Sequence, residues 1–384
     1  MRLLRPVRLS LVSVLVSALS YAVEPSAFAG RQGEKKQPAK MEDAQRLEAQ
    51  ALIALVDDFA NGKPPASPLP VRWEQNHFIK ALADKTYVPF TLAIEPGALT
   101  TRGVAVYLRV VAKGSPAVAA PPAADKKDDK ADKKDDKKAD GPSQYAFEDL
   151  FFTDVPASTA GPQRLRRAFA VPPGDYEVYI AVKERAAGGA PATATAGAAA
   201  PPAGGADAGG AGKAGVIKQE VSAPNFAGQE FTTSSVILAK SVEVLQAPLS
   251  TENQAENPYT FGQMKIEPAA EPTFTKKGAL SVILWIYGAR IDETTKKPDV
   301  SMDFKFYQKT GDKETYFNKT EPQLLNAQTL PPQFDLAAGH QLLGTLELPL
   351  TSFPEGDYRL EIEVQDRAAS QKLTRDVTFS VGAQ

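Results

Sequence analysis

The chain has 384 residues, 43% of them hydrophobic, with 44 basic and 46 acidic side chains and a formal net charge of −2. That length suits two domains, and the near balance of charge gives no electrostatic case for nucleic acid or an anionic membrane surface. There are no cysteines and only two histidines, which excludes disulfides, thiolate metal sites and a cysteine nucleophile, and leaves little for imidazole chemistry.

Residues 1–29 read as an export signal. Arg2, Arg5 and Arg8 form a positive start, Leu9 to Val23 an apolar run, and Ala27-Phe28-Ala29 a small-x-small cleavage pattern before Gly30. The run is shorter than the ~20 residues a spanning helix needs, and no later stretch is long enough to cross a bilayer. Cleavage would place the protein in the periplasm or outside the cell, with no transmembrane segment.

Residues 30–66 read as a polar N-terminus followed by one amphipathic helix, from about Glu42 to Ala60. Leu47, Ala51, Leu55 and Phe59 repeat at i+4, with Leu52 and Val56 beside them. Gly62 and Pro64-Pro65 end it. Its apolar stripe should dock on the following domain, with pairing to another protein as the alternative.

From Val71 the pattern becomes β. Val71 to Leu82 fits a helix or a strand, and the turn at Ala83-Asp84-Lys85 favours the strand; Tyr87 to Ile94 and Gly103 to Val111 read as strands. Residues 115–143, with a Lys/Asp run, and 187–213, almost all Ala, Gly, Pro and Thr, cannot bury enough apolar surface to fold. Both read as disordered inserts at loop tips, the charged one as a solvated polyampholyte rather than an ion or nucleic-acid site. Between and after them come Tyr145 to Phe152, Leu165 to Val171, Val216 to Val221 and Thr232 to Leu245 as further strands. A first domain over 70–246, a linker at 247–258 and a second domain over 259–384 follow.

The second domain repeats the texture of the first. Gly278 to Ile286 echoes Gly103 to Val111, Met302 to Tyr307 echoes Tyr145 to Phe152, and Leu373 to Val381 echoes Val216 to Val221. Pro172-Pro173-Gly174-Asp175-Tyr176 recurs as Pro354-Glu355-Gly356-Asp357-Tyr358. In each, proline and glycine aim the chain into an alternating strand that ends near an acid and an arginine. Tyr176 and Tyr358 are then expected to send their hydroxyls back to the backbone and pin a corner, and Gly174 and Gly356 to supply the turn.

Gly-Asp-Tyr followed by apolar-x-apolar-x-apolar and a terminal acid resembles the penultimate strand of bacterial immunoglobulin-like β-sandwich modules. The chain as a whole resembles uncharacterised exported bacterial proteins that carry such modules in tandem. The resemblance implies an all-β fold of two immunoglobulin-like antiparallel sandwiches and assigns no activity. Lacking the inter-sheet disulfide of antibody domains, the core would use Trp285 as a replacement anchor.

The sequence has no nucleophile elbow, zinc-protease helix, phosphate loop or calcium loop. His77 and His340 fall in different expected domains and read as packed or surface side chains. No catalytic, metal or cofactor residues are expected, and Asn318-Lys319-Thr320 reads as an unmodified sequon. Specificity is sought in the second domain's decoration, residues 310–339, where Tyr307, Tyr316, Phe317 and Phe334 are candidate ligand-surface residues. The leading expectation is a non-enzymatic binding or scaffold protein of the cell envelope, with a protein or envelope polymer as partner. The alternatives are carbohydrate or peptide recognition through 310–339, and a hydrolase with a dispersed carboxylate site.

Overall fold

The computed structural model describes residues 43–118, 145–158, 161–185 and 212–383. The expected signal over 1–29 and most of the two expected inserts lie outside the described residues. What is described is mostly β. In chain order it runs α1 (Asp43–Ala60), β1 (Val71–Asn76), β2 (Ile79–Lys80), β3 (Thr86–Ile94), β4 (Gly103–Ala112), β5 (Phe147–Asp154), β6 (Gln163–Val171), β7 (Gly174–Glu184) and β8 (Ala214–Ala223). It continues with β9 (Thr232–Thr233), β10 (Ile237–Val244), α2 (Thr251–Glu256), β11 (Thr260–Phe261), β12 (Met264–Pro268), β13 (Thr273–Thr275) and β14 (Ala279–Tyr287). The last strands are β15 (Val300–Thr310), β16 (Lys313–Lys319), β17 (Gln323–Leu325), β18 (Leu342–Pro349), β19 (Gly356–Asp366) and β20 (Gln371–Gly382). Among the described residues no helix is long and apolar enough to cross a membrane.

These elements divide into two compact units. Among the described residues, the first holds 43–76 together with 88–225; the second holds His77–Tyr87 and the chain from Phe226 onward. The division departs from the domains expected at 70–246 and 259–384. The segment 77–87 and the strands β9 and β10 belong to the second unit, and the expected linker at 247–258 contains α2. His77 and His340 therefore lie in the same unit.

In the first unit, β5-β4-β7-β8 form one antiparallel sheet, and β1 and β6 flank β3 in the other. The rings of Phe90, Phe169 and Phe147 make a continuous stack between the sheets, with centroids 6.0 and 6.2 Å apart. The strand β4 is buried along nearly its whole length. Such a near-continuous apolar run is what a strand covered on both faces requires. One cover is α1. Its Leu52 and Val56 share a buried cluster with Ala105, Tyr107 and Val111 of β4 and with Tyr179 and Ala181 of β7. Arg109 lies under the helix, 2.6 Å from the Asp57 carboxylate and 2.9 Å from the Tyr107 hydroxyl. Burial works against its charge, but the Asp57 and Tyr107 bonds prevail and hold the guanidinium more firmly protonated than usual.

The buried line of α1 differs from the expected one. Ala49, Leu52 and Val56 are buried, and Leu47 is 67% exposed. A strict i+4 row turns by about 40° at each step, so it leaves one face within three steps, whereas alternating i+3 and i+4 steps stay on it.

The second unit has two larger sheets. One runs β11-β12-β10-β14-β18 with β9 beside β14; the other runs β13-β20-β19-β15-β16 with β17 beside β15. All pairings are antiparallel except β13 with β20. One core, including Leu280, Val282 and Leu284 of β14 with Phe304, Tyr358 and Ile362, lies between the sheets. The other face of β14 carries a separate core of Ile283, Trp285 and Tyr287 with Ile79, Phe226, Tyr259 and Phe261. Trp285 thus does not anchor the inter-sheet core. It lies on the opposite face, edge-on to Phe261 at 4.7 Å. The segment 77–87 covers that face. Its Lys80 backbone N–H donates to the Tyr287 hydroxyl at 3.0 Å, and its Tyr87 hydroxyl donates to the Pro258 carbonyl at 2.9 Å. Residues 71–82, expected as one strand before a turn at 83–85, are broken at 77–78 into β1 and β2, which pair with β3, Asn76 and Ile79 in one register.

Strand order is shared between the units. The line β5-β4-β7-β8 matches β16-β15-β19-β20, and β3 between β1 and β6 matches β14 between β10 and β18. The place of Gly103–Val111 is therefore taken by the strand containing Met302–Tyr307, one strand later than the echo read along the sequence.

Candidate functional site

The recurrent Pro-x-Gly-Asp-Tyr stretches open β7 and β19. Gly174 and Gly356 take φ of 152° and 137°, where a side chain would be strained. Two residues on, the Tyr176 hydroxyl donates to the Pro172 carbonyl and the Tyr358 hydroxyl to the Pro354 carbonyl, both at 2.8 Å. The intervening aspartates also match. Asp175 accepts from the Ser222 hydroxyl at 2.6 Å and Asp357 from the Ser380 hydroxyl at 2.5 Å, across the same strand pairing.

The acids at the far ends of β7 and β19 correspond too. Glu184 accepts from the Thr101 N–H at 2.7 Å and the Thr100 hydroxyl at 2.6 Å, and also from the Thr100 N–H. Burial alone would raise its pKa, but these donors outweigh it and hold the carboxyl below the usual range. Asp366 accepts from the Arg290 N–H at 2.7 Å and the Ala369 N–H at 3.0 Å. The aspartates and tyrosines of the motif are thus engaged in holding a corner.

The four candidate aromatics separate into two pairs. The alternation of β15 places Phe304 and Phe306 inward and Lys305 and Tyr307 on the outer face. Tyr307 stands opposite Tyr316 of β16, beyond a shift in register, and the rings meet edge to face with centroids 5.9 Å apart. On the other side Tyr307 stands opposite Arg359 of β19, whose guanidinium carbon lies 4.3 Å from the ring centroid. Tyr316 is 54% exposed. Phe317, its neighbour in the strand, points inward and packs on Phe353 at 4.9 Å and Tyr358 at 5.6 Å. Phe334 is only 4% exposed and belongs to the inter-sheet core. The Lys297 ammonium donates to the carbonyls of Pro332 at 2.8 Å and of Phe334, and the His340 imidazole accepts from the Asp335 N–H at 2.9 Å. The loop after β17 is thereby pinned down. Tyr307 and Tyr316 share a surface; Phe317 and Phe334 are parts of the core.

Around the tyrosine pair the outer face is a lattice of charge. Arg359 donates to Glu314 at 2.9 Å, to Glu361 at 3.1 Å and to Asp376. Burial opposes its charge, yet these three carboxylates raise its pKa further. Lys305 donates to Glu363 at 2.8 Å and Glu361 at 3.3 Å, and Lys372 lies 2.7 Å from Glu363. The Lys305 and Lys372 ammoniums hold the Glu363 carboxyl below its ordinary range. Reading the sequence alone missed Arg359, Lys305, Glu314, Glu363 and Asp376 as members of this site. Alternation along β19 sends Glu361 and Glu363 to the solvent side, but their partners depend on the pairing of β19 with β15 and β20.

His77 is buried against Tyr259, with Nδ1 2.9 Å from the hydroxyl. Desolvation lowers its pKa to about 4. Among the described residues no group of three or more histidines and acids is arranged to hold a metal ion.

No family model and no curated protein matches the chain. Among solved structures, the crystal structure of Bacteroides uniformis beta-glucuronidase is similar at 10% sequence identity and a TM-score of 0.22, over 77% of this chain and 26% of that one. The chain thus spans about a quarter of that structure.

Proposed function

We propose that the protein is an exported, non-enzymatic binding or scaffold protein of the bacterial cell envelope. In this reading its two units are copies of one immunoglobulin-like sandwich, and the second offers the binding surface. The observation that carries the reading is a contrast between corresponding faces. In the first unit α1 packs on the outer face of β5-β4-β7-β8 over Ala105, Tyr107, Tyr179 and Ala181, beside an ion-paired Glu177 and Lys218. In the second, β16-β15-β19-β20 leaves Tyr316 half in solvent beside Tyr307 and Arg359. A rigid sheet face that keeps an oriented aromatic in water is suited to recognition.

A non-enzymatic role also suits the two histidines and three of the least exposed acids, which are engaged in structural contacts. His77 faces Tyr259 and His340 caps a loop. Glu184 and Asp366 hold backbone N–H groups in separate units. Glu74, also buried, takes both hydrogen bonds of an Arg164 fork at 2.7 and 3.0 Å. A glycosidase needs two carboxylates facing one bond, and these acids are each committed elsewhere.

The test is a pull-down from a solubilised envelope fraction with the full mature chain as bait. The reading expects a protein or surface polymer to be retained reproducibly and to be lost with Tyr316→Ala. A chain that is not exported, or that retains nothing from the envelope, contradicts it.

A further inference from the structure

From the same face we infer that the ligand is a neutral oligosaccharide, with Tyr316 as the platform on which a sugar ring stacks. The inference rests on the binding-protein reading and adds the chemistry of what is bound.

Three features of the outer face of β16-β15-β19-β20 select that chemistry. The first is that the charges nearest the tyrosine pair are bound to one another. Arg359 meets three carboxylates and Lys305 two, while Glu363 meets two ammoniums. A charged polymer would have to displace these pairs to form its own, and exchanging one surface ion pair for another gains little. A neutral ligand leaves them in place.

The second is spare hydrogen-bonding capacity. An ionised carboxylate accepts at about four positions and an ammonium donates three protons. On this face the side chains of Asp376 and Lys372 are 51% and 54% exposed, so much of that capacity faces water. A polyhydroxyl ligand gives to the carboxylates and takes from the ammoniums without bringing charge.

The third is the orientation of Tyr316. Its ring is met edge to face by Tyr307, and Tyr307 is itself held by the Arg359 guanidinium. An aromatic fixed on a strand loses little freedom when a ligand arrives. Its flat apolar surface suits the C–H face of a pyranose, and its hydroxyl stays wet. A peptide adding through its backbone would pair along the free edge of β16 rather than lie over the Tyr316 ring, and one anchored by side chains needs an apolar pocket. Tyr316 stands beside Tyr307 and the Arg359 ion pairs instead.

The experiment is affinity electrophoresis of the full mature chain through gels containing a neutral glucan, mannan or xylan, with heparin and hyaluronate as anionic comparators. At least one neutral polymer should retard the chain equally in low and high salt. Tyr316→Ala should weaken that binding by at least about tenfold. Tyr316→Trp should retain it, and Leu47→Ala, on the exposed side of α1, should change nothing. Circular dichroism and melting of Tyr316→Ala should match the parent, since the ring is outside the core. Retardation by anionic polymers alone, retardation indifferent to Tyr316→Ala, or none by any neutral polymer overturns the inference, as does capture of a peptide through Tyr316. If no glycan binds while the envelope pull-down still retains a partner, only the ligand class falls. If both fail, the binding reading falls with it.

Discussion

Tyr358 is fully buried, yet its hydroxyl reaches the Pro354 carbonyl. Replacing it with phenylalanine keeps the ring stacked on Phe379 and removes one hydrogen bond. The expected cost is about 1 kcal/mol. Denaturant unfolding should show a lower midpoint at unchanged slope; an unchanged midpoint would mean that the corner is held by the glycine turn and packing alone. His77 makes a second prediction at this scale. Its folded pKa of about 4 lies below its unfolded value of 6.5. The unfolded chain therefore binds the extra proton first, and stability present above pH 6.5 is lost as the pH falls towards 4. By linkage the contribution is about 3 kcal/mol. Stability of the full chain and of His77→Gln, measured across that range, should diverge, with the variant showing the shallower dependence. Parallel curves would show that His77 is not desolvated.

Among the elements, what could be read from the sequence was local and what could not was long-range. The strands β4, β14 and β19 announce themselves through apolar runs or alternation, and Pro-x-Gly-Asp-Tyr announces a turn. Their partners do not. Trp285 looked like an inter-sheet anchor because an all-apolar run gives no clue to which face is which; β14 is buried on both. The segment 77–87 looked continuous with β1, because nothing in its composition shows that Ile79 packs with Tyr259 and Ile283, residues distant in sequence. The tyrosine pair shows the same limit. Phe317 and Tyr316 are adjacent and equally aromatic, and only the pairing of β16 with β15 sends one into the core and the other to solvent. The placement of 77–87 makes a prediction. Ile79 is fully buried in the second unit, so Ile79→Ala should cost about 3 kcal/mol there through lost burial and a cavity. Hydrogen exchange should quicken in β10 and β14 and not in β4 or β7. Faster exchange confined to β4 and β7 would return 77–87 to the first unit.

For the molecule as a whole, two units with one strand order have been finished differently. In one, α1 packs on part of the outer sheet face; in the other, the corresponding face carries the exposed Tyr316 beside a lattice of ion pairs. The tyrosine corners of both units and the two histidines of the second are absorbed by the architecture, so the face with Tyr316 is where a function of binding is to be sought. The most direct measurement is a tyrosine-nitration footprint of the full mature chain, with and without solubilised envelope polysaccharide, read residue by residue by mass spectrometry. The account predicts that Tyr316 is nitrated readily in the free chain and protected when the envelope material is present, while Tyr176 and Tyr358 stay unreactive in both. Tyr316 nitrated equally with and without envelope material, with protection appearing at another surface, would contradict it.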